Sequence, residues 1–262
     1  MKVGINWSGQ RELACMKELF DNRDIEFVEL LIDNFLTTDT NSIKKILDGR
    51  LCAFHIMNSQ FLHRDELELK KMAEIINNLI VELNPIYISD HIGKFYHNGQ
   101  ALPQMLEIDY EKDTEWVLEK LTYWSNLLNG QLLLENYPSI IPQSVTQICF
   151  FEEVLSKTHC GLLYDLSNAF IAEKNTGQKK DAWRKLIKKC EHFHIAGFEN
   201  GPEGEFLVDT HNQCIDELVL DYLEQLTQEH NIKTISVERD DNFNAHEWIL
   251  DIDNVRGCQY HG

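Results

Sequence analysis

The sequence predicts an α/β fold, a (β/α)8 or TIM barrel in a single domain, and three observations carry that expectation. The chain has 262 residues, 43% of them hydrophobic, which suffices for one large core and is close to the usual size of an eight-stranded α/β barrel. Eight short apolar runs alternate with eight stretches of helical periodicity, the pattern of a parallel sheet built by crossover connections. Metal-capable and acid–base side chains collect where those runs end, which is where barrels of this kind place their chemistry. An open doubly wound sheet is the alternative, because spacing does not fix strand order. The glycine-rich phosphate turn usual after the first strand of such a sheet is missing.

Lys2 to Ser8 (KVGINWS) is the first strand candidate, and Glu12 to Phe20 carries Leu13, Met16, Leu19 and Phe20 at helical spacing. Phe27 to Asp33 (FVELLID) is the second strand, and Ser42 to Leu47 a short helix. Leu51 to Met57 (LCAFHIM) is the third strand, followed by a long helical pattern from Glu66 to Leu83. Pro85 to Ile92 (PIYISDHI) is the fourth. The connection from Gly93 to Asp109 has no strong period, and loops of that length are usually lids or partner surfaces. Glu111 to Leu128 is helical, with Trp116, Leu118, Leu121 and Trp124 recurring on one side. Gln131 to Tyr137 (QLLLENY), the fifth strand, runs three leucines into Glu135 and Asn136. An unbroken apolar run fits a strand buried on both faces. A carboxylate at its inner end is costly to bury unless something pairs with it. Ser144 to Leu155 is the next helix, and Cys160 to Ser167 (CGLLYDLS) the sixth strand. Asp181 to Lys189 is helical, and His192 to Phe198 (HFHIAGF) is the seventh strand. Gly201 to Thr210 is a polar connection, Ile215 to Gln228 a helix, and Thr234 to Asp240 (TISVERD) the eighth strand. A last helix covers about Ala245 to Val255.

A net charge of −19 argues against a nucleic-acid backbone as partner, because phosphate binding relies on basic patches. Lys179, Lys180, Arg184, Lys185, Lys188 and Lys189 lie at helical spacing and read as a solvated face. The N-terminus lacks the apolar core of a signal peptide, and no run approaches membrane-spanning length, so the expected location is the cytoplasm and no membrane is involved. The seven cysteines (15, 52, 149, 160, 190, 214 and 258) are odd in number and form no CxxC pair. They read as reduced thiols and not as a disulfide frame.

The strand ends supply the chemistry. His55 ends the third run, Asp90 and His91 the fourth, Glu135 and Asn136 the fifth, and Asp165 the sixth, with Asn168 just beyond. His194 lies on the seventh, Asp209 and His211 in the loop after it, and Glu238, Arg239 and Asp240 end the eighth. Alternation puts Leu133 and Glu135 on one face, and Glu238 and Asp240 on another. An extended segment would point Asp209 and His211 the same way, as a pincer for one ion. Imidazole plus carboxylate, with no thiolate, suits iron, manganese or zinc, and the number of ligands suits two or three ions. Taken singly, a strand-end histidine is more often a hydrogen-bonded wall residue than a ligand; the collection is what that reading leaves unexplained. Asp90 is expected to face outward or to orient its neighbour His91, and His192 lies deeper and is second choice. His63, His97, His159, His230, His246 and His261 are expected to be ordinary. Asn6, Ser8, Glu29 and Asp33 form either a polar rim for substrate or a solvated mouth.

These residues also carry a resemblance. GINWSGQREL, FVELLIDNF, CAFHIM, NPIYISDHI, LENYPSI, DLSNA, HFHIAG, VDTH and ERDDNF span Gly4 to Phe243. They are similar to stretches of the MbnB-type iron oxygenases of methanobactin biosynthesis. That group lies within the wider family of multinuclear iron barrel enzymes that modify cysteine in ribosomally made peptides (RiPP biosynthesis). The resemblance implies a (β/α)8 barrel holding two or three iron ions, mixed Fe(II) and Fe(III), with O2 as co-substrate. It implies metal ligands at His55, His91, Glu135, Asp165, Asn168, His194, Asp209, His211 and Glu238. Asp240, on the Glu238 face and one step further out, becomes a candidate catalytic acid–base residue. The implied reaction oxidises cysteine of a precursor peptide to oxazolone and thioamide groups. The implied partner is a small leader-recognising protein (MbnC-like) forming a heterodimer, with the connection from Gly93 to Asp109 and the last helix as candidate interface. The rival readings are a metal-dependent barrel hydrolase or isomerase acting on a sugar-like substrate, and a non-catalytic binding subunit that keeps the barrel as scaffold.

Overall fold

The apolar runs pair side by side and close on themselves. The computed structural model describes residues 1–259, so the expectation for His261 lies outside the described residues. In chain order the strands are β1 (Lys2–Trp7), β2 (Phe27–Leu31), β3 (Leu51–Ile56), β4 (Ile88–His91), β5 (Lys94–His97) and β6 (Gln100–Leu106). They continue as β7 (Leu132–Glu135), β8 (Gly161–Asp165), β9 (His192–Ala196), β10 (Phe198–Asn200), β11 (Leu207–Asp209) and β12 (Thr234–Glu238). Eight of them form a closed barrel in the order β1-β12-β9-β8-β7-β4-β3-β2, with parallel neighbours throughout. The expected barrel is therefore present, and the open sheet is excluded.

The helices are α1 (Leu13–Asn22), α2 (Thr40–Leu47), α3 (Glu66–Leu83), α4 (Thr114–Leu127), α5 (Gln147–Lys157), α6 (Leu166–Thr176), α7 (Arg184–Ile187), α8 (Glu217–Glu229) and α9 (Ala245–Gly257). Local chemistry sets their ends. The Asp65 side chain accepts from Glu68 N at 2.8 Å, and Glu68 reaches back to Asp65 N, a capping box that starts α3. Asn84 in the left-handed conformation ends the same helix. No helix among the described residues is long and apolar enough to cross a membrane.

Along the strands the inward faces change from apolar to polar. Phe27, Ala53, Tyr87, Leu133 and Leu163 form a small apolar plug, distinct from the larger core between strands and helices. Two residues further along the same inward faces come Glu29, His55, Ser89, Glu135 and Asp165. His194 and Ser236 join them through the pairs Asp165 with His194 and His194 with Ser236. All seven are buried. The strands are staggered around the barrel, with Glu29 beside Ala53, Ser89 beside Leu133 and Glu135 beside Leu163, so the side chains that leave the plug form a staggered polar layer in which Glu29 and Ser89 lie deepest.

Three connections differ from expectation. Helix α6 follows β8 directly; its residues from Leu166 to Ala172 are buried all round, so no amphipathic stripe announces it. The stretch from Asp181 to Lys189 is a 3-10 turn (Lys180–Trp183) and the single turn of α7, not a full helix. Its basic residues meet acidic ones at the surface, Lys179 and Lys180 with Glu173, and Lys185 with Glu152. The long connection after β4 folds as the antiparallel ribbon β5–β6, and β10 pairs with β11 across the polar loop that precedes α8.

Gly197 joins β9 to that loop and brings its two sides into contact. Its carbonyl accepts from His211 N at 3.0 Å, and a Cβ at this position would lie 2.0 Å from Gln213 O. Backbone cannot yield as a flexible side-chain end can. Gly197→Ala is expected to destabilise the protein by about 1–3 kcal/mol, read as a lowered melting temperature, and to displace His211. An unchanged melting temperature would refute this close approach.

Candidate metal centre

Each residue of the polar layer is placed by the strand that carries it. Glu135 ends β7 beside His91 at the end of β4. Its Oε2 lies 3.5 Å from His55 Nε2 and 3.4 Å from His91 Nε2. The two imidazole nitrogens are 2.9 Å apart. The other oxygen of Glu135, Oε1, lies 3.3 Å from His194 Nδ1. Glu238 at the end of β12 approaches the same nitrogen at 3.3 Å. Ligand-capable atoms within 4.8 Å of one another fall into three sets: His55, His91 and Glu135; Glu135, Asp165, His194 and Glu238; and Glu29, His55 and His194.

Asp165 shows how the local fold aims a carboxylate. It ends β8 and caps α6, its Oδ1 accepting from Asn168 N at 2.6 Å. The Asn136 amide clasps the Asp165 backbone from both sides, donating to its carbonyl at 2.9 Å and accepting from its N–H at 2.8 Å. One helical turn on, Asn168 Nδ2 donates to Asn136 O at 3.0 Å and lies 3.5 Å from Glu135 Oε1. Asp209 and His211 meet at 2.8 Å, though not along an extended segment: His211 is left-handed, with φ of 49°. His211 Nδ1 lies 2.9 Å from Asp240 Oδ2 and 3.8 Å from Glu238 Oε2. Glu238 and Asp240 thus share a face, as alternation expects.

The electrostatics are those of charge kept from water. Burial pushes Glu135, Asp165 and Glu238 up from the usual carboxylate range. Burial and the neighbouring His194 and His211 hold His91 down at about 3, and burial and His91 lower His55. Burial would also lower His194 and His211, but the surrounding carboxylates outweigh it and raise both. Burial thus favours the neutral form of His55 and His91, while the carboxylates around His194 and His211 favour the charged form.

The donor set fits a cation. Glu135 Oε2, Asp165 Oδ2, Asn168 Oδ1 and His194 Nδ1 are buried atoms that make no hydrogen bond. Groups left in this way are costly unless a partner of opposite charge meets them. The spacing among His55, His91 and Glu135 is that of ligands ~3.0–3.4 Å apart around an ion bound at about 2.1 Å. Four of the seven thiols, Cys15, Cys52, Cys160 and Cys190, are buried elsewhere, and none of the seven joins these sets.

All the residues singled out at the strand ends lie in or around this mouth, with Asp90 and His192 turned away from the ligands. Asp90 faces outward, accepting from Trp124 Nε1 and from His91 N, each at 2.8 Å. His192 contacts Thr234 and packs on Tyr87. The proposed rim is corrected. Asn6 is buried, donating to Asp240 Oδ1 at 2.8 Å and accepting from Arg239 N at 2.9 Å. Ser8 donates to Glu12, and Asp33 accepts from Met57 N at 2.7 Å. Glu29 is no mouth residue at all: it is fully buried beneath His194. In FVELLID its face could not be read, because both faces of that strand are apolar around it. Arg239, paired with Asp251 at 2.8 Å and Glu247 at 3.2 Å behind β12, anchors the strand end between Glu238 and Asp240.

Comparison with known proteins adds to this geometry. A UPF0276 protein of Anaeromyxobacter sp. (strain Fw109-5) is 24% identical over 228 residues, 83% of this chain and 79% of that protein. Another, from Paraburkholderia phytofirmans, is 28% identical over 151 residues, 54% of this chain and about half (49%) of that one. Among solved structures, the TTHB071 protein of Thermus thermophilus soaked with ZnCl2 superposes with a TM-score of 0.64 at 16% identity, covering 100% of this chain and 99% of that one. The 3-keto-D-glucoside 4-epimerase YcjR of E. coli does so with a TM-score of 0.60 at 14% identity, covering 99% of each chain. At such identities these structures show the shared barrel alone. The family model described as RiPP precursor modification enzyme MbnB/TglH/ChrH matches residues 2–259, and the chain belongs to that family of enzymes.

Proposed function

We propose that this protein is a multinuclear non-haem iron oxygenase that oxidises cysteine of a ribosomally made precursor peptide with O2, to oxazolone and thioamide groups as in methanobactin biosynthesis. The observation that carries the reading is the shared carboxylate of Glu135, whose two oxygens face two different sets of buried ligands. A carboxylate so placed would serve two neighbouring ions at once. In this reading His55, His91 and Glu135 hold one ion, and Glu135, Asp165, His194 and Glu238 a second. Asp209 and His211, which meet at 2.8 Å, serve a third, and Asn168 stands beside Glu135.

Iron held by these residues would supply redox capacity that no side chain of the mouth has and would favour the thiolate form of a bound thiol. The protein's own residues do the rest. The absence of a cysteine among the ligands leaves thiolate chemistry to the substrate. Asp240 is half-exposed at the mouth while the layer beneath it is buried. Burial would raise its carboxyl, but His211 and Asn6 outweigh that and hold it low; its outer position makes it the proposed proton acceptor toward the peptide. Asn6 fixes its direction.

The peptide is flexible and loses entropy on binding, so capture of its leader by a small second subunit raises the effective concentration of the reacting segment. The ribbon β5–β6 and helix α9 are the faces proposed for that subunit. Beside the ribbon lies a groove of about 600 Å3 whose walls include Leu102, Leu106, Tyr137, Ile140 and Ile141. Ile141 is 71% exposed there, an apolar surface suited to a partner.

The first test is metal content of protein made with its small neighbouring subunit and purified without oxygen. More than one iron per chain is expected, with iron lost on His211→Ala or Glu135→Ala. Zinc or manganese that ferrous iron cannot displace, supporting activity without oxygen, would instead favour a hydrolase or isomerase acting on a sugar-like substrate. Asp240→Asn is expected to keep its iron and lose turnover by about 10²-fold or more. Full turnover in that variant would remove Asp240 from the reaction.

A further inference from the structure

One buried carboxylate of the polar layer stands outside the nine proposed ligands. Glu29 is fully buried on β2, with its Oε1 2.9 Å and its Oε2 2.8 Å from His194 Nε2. The opposite nitrogen of the same ring, Nδ1, lies 3.3 Å from both Glu135 and Glu238 and makes no hydrogen bond. His194 is thus held between a carboxylate below and the ligand set above.

We propose that Glu29 is a positioning residue of the centre: it accepts the Nε2–H of His194 and fixes the tautomer whose Nδ1 lone pair faces Glu135, Asp165 and Glu238. The inference rests on the metal reading and deepens it. A neutral imidazole has one donor nitrogen and one acceptor, so the group at one nitrogen determines what the other presents. A carboxylate accepts only, and leaves no ambiguity. The same device recurs at the next ring. His55 Nδ1 lies 2.8 Å from Ser89 Oγ, which itself donates to Phe54 O at 3.2 Å. That leaves Nε2 of His55 facing His91 and Glu135. Both supports lie on the inward faces at the floor of the mouth, one level below the ligand atoms.

The competing arrangement makes Glu29 a ligand in its own right, grouped with His55 and His194. That requires His194 to turn a lone pair, not a proton, toward Glu29. The two tautomers can be told apart directly.

Zinc serves as a diamagnetic probe in the full-length protein with its histidines labelled with nitrogen-15. The expected long-range proton–nitrogen spectrum shows His194 protonated at Nε2 and metallated at Nδ1. Metallation at Nε2 would overturn the proposal in favour of Glu29 as a ligand. In parallel, Glu29→Gln keeps the shape but can present either an oxygen or an N–H to the ring. This variant is expected to melt near the wild-type temperature without metal, yet to lose zinc to a competing chelator at about 10- to 100-fold lower chelator concentration. The ion lost is expected to be that of the His194 set, while the ion at His55 and His91 stays.

Equal retention by wild type and variant would overturn the role of Glu29 while leaving the metal reading intact. A wild-type protein that holds neither zinc nor iron would overturn both. Should Glu29→Gln fail to fold, the wild-type spectrum decides alone.

Discussion

The constraint on which the rest of the structure depends is the crowding of like charge away from water. Glu135, Asp165 and Glu238 are buried in the mouth of one barrel, and Glu29 is buried beneath them. Ion-sized groups lose several kcal/mol each on such transfer unless they are compensated. The protein meets part of that cost with the imidazoles of His194 and His211 set against these carboxylates. It meets another part with amide groups, Asn168 N toward Asp165 and Asn6 toward Asp240. What these do not satisfy points inward, above the apolar plug of Phe27, Ala53, Tyr87, Leu133 and Leu163. The barrel is stiff for a reason: eight strands hold in place charges that would otherwise move apart.

Much of this is legible in the sequence because barrels translate chain position into depth. Short runs such as LCAFHIM and QLLLENY begin at the bottom and end at the mouth, so a polar residue near the end of a run, His55 or Glu135, lands where chemistry occurs. The alternation of strands and helices points to a parallel sheet, and the missing glycine-rich turn correctly argues against the open one. The failures have a physical pattern. Helix α6 escapes detection because it is buried on every side and carries no polar stripe. The ribbon β5–β6 escapes it because much of the ribbon is exposed, with short strands and no buried face to impose alternation.

Within the site, two expectations fail on depth. Glu29 and Asn6 read as rim residues, and both are buried. Along a single strand a polar residue in the middle of an apolar run has no marker of the partner it meets, since that partner comes from a strand far away in sequence. His194, which explains Glu29, is 165 residues distant. Asp90 and His91 are adjacent, yet β4 sends one outward to Trp124 and the other to Glu135. Alternation distinguishes that pair because the inward direction is already set by a histidine.

Asp165 links the centre to the architecture in a way that bears on how the molecule responds to its ligands. One of its oxygens starts α6 and the other faces the cluster. The same residue is clasped by Asn136 from the neighbouring strand. A cation that engages the free oxygen draws on a carboxylate already committed to a helix cap and to a strand end. By mass action, whatever binds there favours every conformation in which α6 is formed and β7 and β8 are aligned. Occupancy of the mouth and cooperativity of this side of the barrel are therefore two readings of one equilibrium.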